Sequence, residues 1–170
     1  MAYSAFGIST IIEAALVVIN LVLFSYGYPD ALRTALWEEG GSKGFNSDPN
    51  LRIYFYANYL NPPAIPFIWS QAFTDSNLGV SILTLLVFMT RMSLKYMDAA
   101  NKCTELFLQC CLLFFWILCL AGQQSPDYSD GQHPSRHPWY LTHTCGVAEK
   151  ANQTVCYVAQ ASFGFSIITA

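Results

Sequence analysis

Apolar positions gather into four long runs, separated by polar segments of unequal length. Residues 6–26 hold 21 positions with a single charge, Glu13. At about 1.5 Å per residue a helix of that length crosses about 30 Å of hydrocarbon. Residues 78–97 open uncharged and meet Arg91 and Lys95 only toward their end, where long cationic side chains can reach an interface. Residues 103–122 carry one acid, Glu105, in the first turn. Residues 156–170 are uncharged but only fifteen in number, short of the roughly 20 that a relaxed crossing needs, and read as a fourth helix cut short. The pattern predicts an all-α fold, a transmembrane four-helix bundle. The five residues before Phe6 contain no Lys or Arg, so the first run is expected to be a retained span and not a secretory leader.

The intervening segments set the expected threading. Residues 27–77 and 123–155 are long, whereas residues 98–102 form a tight turn. Arg91, Lys95 and Lys102 crowd that turn, while the long segments carry thinly spread cations. Cationic density then places the turn and both termini in the cytosol, with two structured loops on the extracellular or lumenal side. Within the first loop, PDALRTALWEEGG predicts a short amphipathic helix lying on the membrane surface or on the other loop. Pro29 and Asp30 suit its start, Leu32 and Leu36 share a face, and Gly40 suits its end. After it, Ile53, Phe55, Ala57 and Tyr59 alternate with Arg52, Tyr54, Tyr56 and Asn58 in a strand-like period. Pro62, Pro63 and Pro66 then force an extended path. The aromatics of this stretch suit a belt at the headgroup boundary or a loop core, with a ligand or partner groove as the alternative.

Composition sharpens the class. Hydrophobic residues make up 54% and charged residues only 11% of the chain, against a soluble norm of about 25% charged, and that excludes disorder. Eight Lys and Arg against eleven Asp and Glu leave a net charge of −3, which removes nucleic acid as a partner. Membrane lipids, other membrane proteins or further copies of the chain are the expected partners, in the plasma membrane or the secretory pathway.

Six cysteines divide by position. Cys110, Cys111 and Cys119 fall inside the third run as small packing residues. Cys103 stands at its cytosolic end, as a plain thiol or a palmitoylation site. Cys145 and Cys156 border the second outer loop, where an oxidising compartment favours pairing them. The sequon Asn152-Gln153-Thr154 between them is a candidate glycosylation site that agrees with an outside loop. His133, His137 and His143 could in principle hold a metal, but they follow no metal-ligand spacing, and Pro134 and Pro138 oppose a helix that would align them. No metal or other cofactor is expected.

No phosphate-binding loop, dinucleotide fingerprint, zincin motif or Cys-x-x-Cys is present, and the chain is expected to be non-enzymatic. What remains is polarity inside the apolar runs. Glu13 stands about 10 Å inside the first span, and Asn20 follows at i+7 on the same face. Arg91 stands at similar depth in the antiparallel second span, so Glu13 and Arg91 can pair. The pair reads as a salt bridge fixing helix register, with a protonatable group of a small transport or channel component as the rival.

The loop signatures IYFYANY, PPAIPFIWSQ, TDSNLG and HPWYLTHTC make the chain resemble a group of four-span integral membrane proteins of filamentous fungi, along its length from the first span to Ala170. The four-span layout is also similar to MARVEL-type proteins, and that resemblance implies membrane organisation and trafficking in place of catalysis. A claudin-like layout would want paired cysteines in the first loop, and no cysteine lies between Met1 and Lys102. The expected role is therefore a membrane organiser or an accessory subunit of a membrane complex.

Overall fold

The computed structural model describes residues 2–170, with side chains for residues 7–30 and 32–170. Met1, and with it the expected location of the N-terminus, lies outside the described residues. Four long helices carry the fold: α1 (Ala2–Gly27), α4 (Gln71–Tyr96), α5 (Lys102–Gln123) and α7 (Lys150–Thr169). Between them stand α2 (Ala31–Ser42), α3 (Leu51–Ala57) and the single turn α6 (Trp139–Thr142). Short 3-10 turns lie at Phe67–Trp69 and Cys145–Val147. The described residues form no strand beyond one isolated bridge, Asp127 to Ser135.

Among the described residues, three helices are long and apolar enough to cross a membrane: Gly7–Gly27, Gln71–Tyr96 and Lys102–Gln123. Each long helix packs against two others, α1 on α4 and α7, and α5 on α4 and α7. Their polarity is inverted relative to a soluble protein. Ile8, Ile11, Val22, Leu86, Phe107, Phe114, Ile117 and Ile168 are exposed, while Asn20, Asn77, Ser81, Thr84, Gln123, Ser162 and Ser166 are buried. Such a surface is stable only where the surroundings are as apolar as the side chains, and the polar groups then have to find one another inside.

Two helix starts lie earlier than the apolar pattern implies. The second span begins at Gln71 instead of Leu78, because Ser70 caps it by accepting a hydrogen bond from the Phe73 amide at 3.3 Å. Its first turns are polar (Gln71, Thr74, Asp75, Ser76 and Asn77), which hides them from a hydropathy reading. The fourth helix is not the fifteen-residue piece expected from residue 156. It runs 20 residues from Lys150, about 30 Å, yet its polar first turns leave it outside the set apolar enough to span.

The strand expected around residues 52–59 is also corrected, for the segment is α3. Its start is set by Asp48 and Pro49: Asp48 Oδ1 accepts from the Asn50 amide at 2.8 Å, and the next three amides donate to the carbonyls of Asp48, Pro49 and Asn50. Proline suits a first helical turn because it has no N–H to satisfy. The alternation of Ile53 and Tyr54 carried no burial signal, since both are exposed.

The two long loops pack on each other at one end of the long helices and form a cap. Leu36, Trp37, Ile68, Trp69, Trp139, Tyr140, Cys145, Ala148 and Cys156 make its buried core. The α2 helix lies where expected and packs on α7, so its apolar face is spent on the other loop's elements. Trp37 and Trp69 stack with ring centroids 6.2 Å apart, and Trp139 Nε1 donates to the Leu36 carbonyl at 2.8 Å, tying the second loop to the first.

Candidate functional site

Inside the long helices, the polar groups pair from one end to the other. Nearest the tight turn, Lys95 Nζ lies 3.2 Å from Glu105 Oε1, joining α4 to α5. One level up, Arg91 of α4 and Glu13 of α1 form an ion pair. With the Gln109 amide oriented so that its oxygen faces Arg91, it accepts from Nη1 at 2.7 Å and from Nη2 at 3.2 Å. Arg91 is buried and Glu13 half-buried, and Glu13 and Gln109 line a cavity of about 300 Å³ together with Ser9, Thr84 and Trp116. Next, Trp116 Nε1 donates to Thr84 Oγ1 at 3.1 Å, and Thr84 Oγ1 in turn donates to the Val80 carbonyl at 2.7 Å.

Asn20 is not a member of the Glu13 and Arg91 cluster. Its Nδ2 donates to Thr169 Oγ1 of α7 at 2.7 Å and to the Leu16 carbonyl at 3.1 Å. Closest to the cap, Gln123 Nε2 donates to Ser166 Oγ at 3.1 Å. These contacts link α1, α4, α5 and α7, and several run between hydroxyls and amides. Serine and threonine satisfy themselves first, each donating to the carbonyl four residues back, and then accept from a neighbouring helix.

Cys145 and Cys156 are joined by a disulfide, with Cα atoms 5.6 Å apart. On the chain-entropy account a loop of that size is stabilised by about 3 kcal/mol. Cys103 is exposed at the first turn of α5, Cys110 is exposed, and Cys119 is buried. The three histidines do not converge. His133 Nδ1 lies 3.0 Å from Asp130 Oδ2, His137 Nδ1 lies 3.4 Å from the Gln124 carbonyl, and His143 stacks on Phe45 at 4.4 Å. Among the described residues no three metal-ligating side chains come together.

Asn152 sits in the first turn of α7, and the nitrogen that would carry a glycan is engaged: Nδ2 donates to Glu39 Oε2 at 2.6 Å. A sugar on that nitrogen would displace the contact.

The sequence reading passed over the two carboxylates that organise the cap. Glu39 is buried and bridges the loops. Its Oε1 accepts from Lys43 Nζ at 2.5 Å and from the Glu149 amide at 2.8 Å, while Oε2 holds Asn152. It thereby takes the Glu149 amide at the N-terminus of α7 from 110 residues away. Burial pushes the Glu39 carboxyl up, but the hydrogen bonds from Lys43, Asn152 and the Glu149 amide outweigh it and hold the group below its ordinary value. A carboxylate with a depressed pKa contributes stability that is present above its unfolded value, here 4.5, and is lost as pH falls through the folded one. Cap stability should therefore decline on acidification below about pH 4.5, and Glu39→Gln should flatten that part of the profile in thermal melts followed by tryptophan fluorescence.

Asp127 is the second. Its Oδ2 accepts from Ser47 Oγ at 2.7 Å, Trp69 Nε1 at 2.9 Å and the Ser47 amide at 3.2 Å, and its Oδ1 accepts from Ser129. Neither group left a local sequence signal, since Asp127 meets Trp69 from 58 residues away and Glu39 meets Asn152 from 113.

One string resembles a catalytic signature. Gly40-Gly41-Ser42-Lys43-Gly44 has the G-x-S-x-G spacing, but that motif works where a strand turns sharply into a helix. Ser42 instead closes α2, and its hydroxyl donates to the Glu39 carbonyl at 2.9 Å.

With this geometry in view, a curated protein of Aspergillus oryzae described as "Kojic acid related protein 1" is 32% identical over 106 residues, covering 61% of this chain. The chain spans 40% of that relative's length. No family model matches the chain, so the MARVEL likeness finds no counterpart, and no solved structure matches.

Proposed function

We propose that the chain is a non-enzymatic integral membrane protein, a transmembrane four-helix bundle that serves as an accessory subunit of a membrane complex. The observation that carries the reading is the surface of α3. The cap buries its own core, yet Ile53, Tyr54 and Tyr56 are 67%, 70% and 64% exposed, and Tyr59 and Leu60 extend the patch. Exposed aromatics with little charge on a rigid platform suit a protein interface, where Tyr carries binding energy at low entropy cost. Arg52, the one cation of α3, is turned away to the Pro63 carbonyl at 2.6 Å.

The bundle interior supports a structural role for the Glu13 and Arg91 pair. Each ion faces the other, and the Gln109 amide oxygen accepts from Arg91 as well. The disulfide supports an extracellular or lumenal cap, and the cations around Lys102 support a cytosolic tight turn.

A photo-crosslinking residue placed at Tyr54 in native membranes should join the chain to one defined membrane protein. The combined change Ile53→Ser, Tyr54→Ser and Tyr56→Ser should abolish co-purification of that protein in mild detergent and leave the melting of the chain itself unchanged. Retention of the partner by the triple variant would refute the assignment.

A further inference from the structure

Between α4 and α5, at the end nearest the cap, lies a cleft of about 690 Å³. Its walls are apolar: Phe67 and Phe73 at the cap side, Val80 and Leu83 on α4, Phe115 and Leu118 on α5. Space for it arises at Gly79, where an added Cβ would meet nothing within 4 Å. The lining runs from Phe73 to Leu83 on α4, about 15 Å along the helix axis. That is about the depth of one leaflet of hydrocarbon.

The polar part of the cleft is confined to one end. Asn77, Ser76 and Ser125 line it there, and no charged residue lines it anywhere. Asn77 is 2% exposed and spends its Nδ2 on the Phe73 carbonyl, but its Oδ1 is buried without a partner. Ser125 Oγ is likewise buried without a partner. One acceptor and one hydroxyl at the head of an uncharged, ring-walled cleft complement a neutral ligand with a single hydroxyl. A phosphate headgroup would find no cation here, and a bare acyl chain brings no hydroxyl to Asn77 and Ser125. A compact, rigid, apolar body with one hydroxyl is a sterol.

We propose that the cleft between α4 and α5 is a sterol-binding site, in which Asn77 and Ser125 take the sterol hydroxyl and the phenylalanine rings and aliphatic side chains hold the fused rings. The proposal rests on the membrane reading above, and the experiment separates the two. The full chain is reconstituted in phosphatidylcholine vesicles containing a diazirine-bearing 3-hydroxysterol, washed at alkaline pH, irradiated and mapped by peptide. Label should concentrate on peptides of α4 and α5 and be competed by ergosterol but not by diacylglycerol. An added Cβ at Gly79 meets nothing within 4 Å, and leucine is the better helix former, so Gly79→Leu should fold, intrude on the cleft and lose about tenfold of the label. Asn77→Leu should erase the preference for the hydroxysterol over its 3-methyl ether. Label spread evenly over all the long helices, or unchanged in Gly79→Leu, would overturn the sterol site alone. Release of the chain by the alkaline wash would overturn the membrane reading, and the sterol site with it.

Discussion

Glu13→Leu should destabilise the protein in detergent by about 3–5 kcal/mol, the usual consequence of removing one partner from a buried pair. The cost arises from what is left behind. Arg91 has a side chain 10% exposed, against 33% for Glu13, so losing the acid strands the more enclosed of the two ions with only the Gln109 amide for company. Arg91→Leu strands Glu13 beside a cavity instead, where water or a proton can reach it, and should cost less. The double substitution should recover much of the loss, because two apolar side chains suit that depth. A double-mutant cycle on unfolding free energies reads the coupling directly. Additive single effects would mean that the two groups act on separate partners, and the register-fixing role would be wrong.

Asp127→Leu should be the most damaging change in the cap, costing about 4 kcal/mol or more. A buried acceptor serving Trp69 Nε1, the Ser47 amide and hydroxyl, and Ser129 disappears at once, and each donor left buried and unpaired costs about 1–3 kcal/mol. Asp127→Asn should cost only part of that, since one amide oxygen remains to accept while its NH₂ opposes a donor. Thermal unfolding followed through the fluorescence of the stacked Trp37 and Trp69 measures both. Equal melting of wild type and Asp127→Leu would show that the cap is held by its apolar core alone.

These two networks differ in how legible they were. A charge inside an apolar run stands out because hydrocarbon tolerates it only with a partner, and Glu13 and Arg91 were the obvious pair at matched depth. Cys145 and Cys156 stood out by segregation from the other four cysteines. Glu39 and Asp127 did not stand out, because an acid in a polar loop reads as solvated until a fold closes over it. Asn20 was half legible: an amide in a span needs a partner, but Thr169 lies 149 residues away, and no local pattern points to it. The α3 helix misled the reading because alternation is a burial signal only where one face is buried, and no residue of α3 is buried. The early start of α4 was written in Ser70, a capping residue set before turns too polar for a hydropathy window.

The contacts that close the cap also imply an order of synthesis. Glu39 meets Asn152 across 113 residues, and Trp139 meets Leu36 across 103, so the first loop emerges long before anything that can cover it. While α4 and α5 are being inserted, Trp37 and Trp69 lack Trp139 and Tyr140, and the segment waits as an unfinished half. A chain interrupted before α6 would leave the indoles of its first loop without Trp139 and Tyr140, a ready mark for chaperones and proteases.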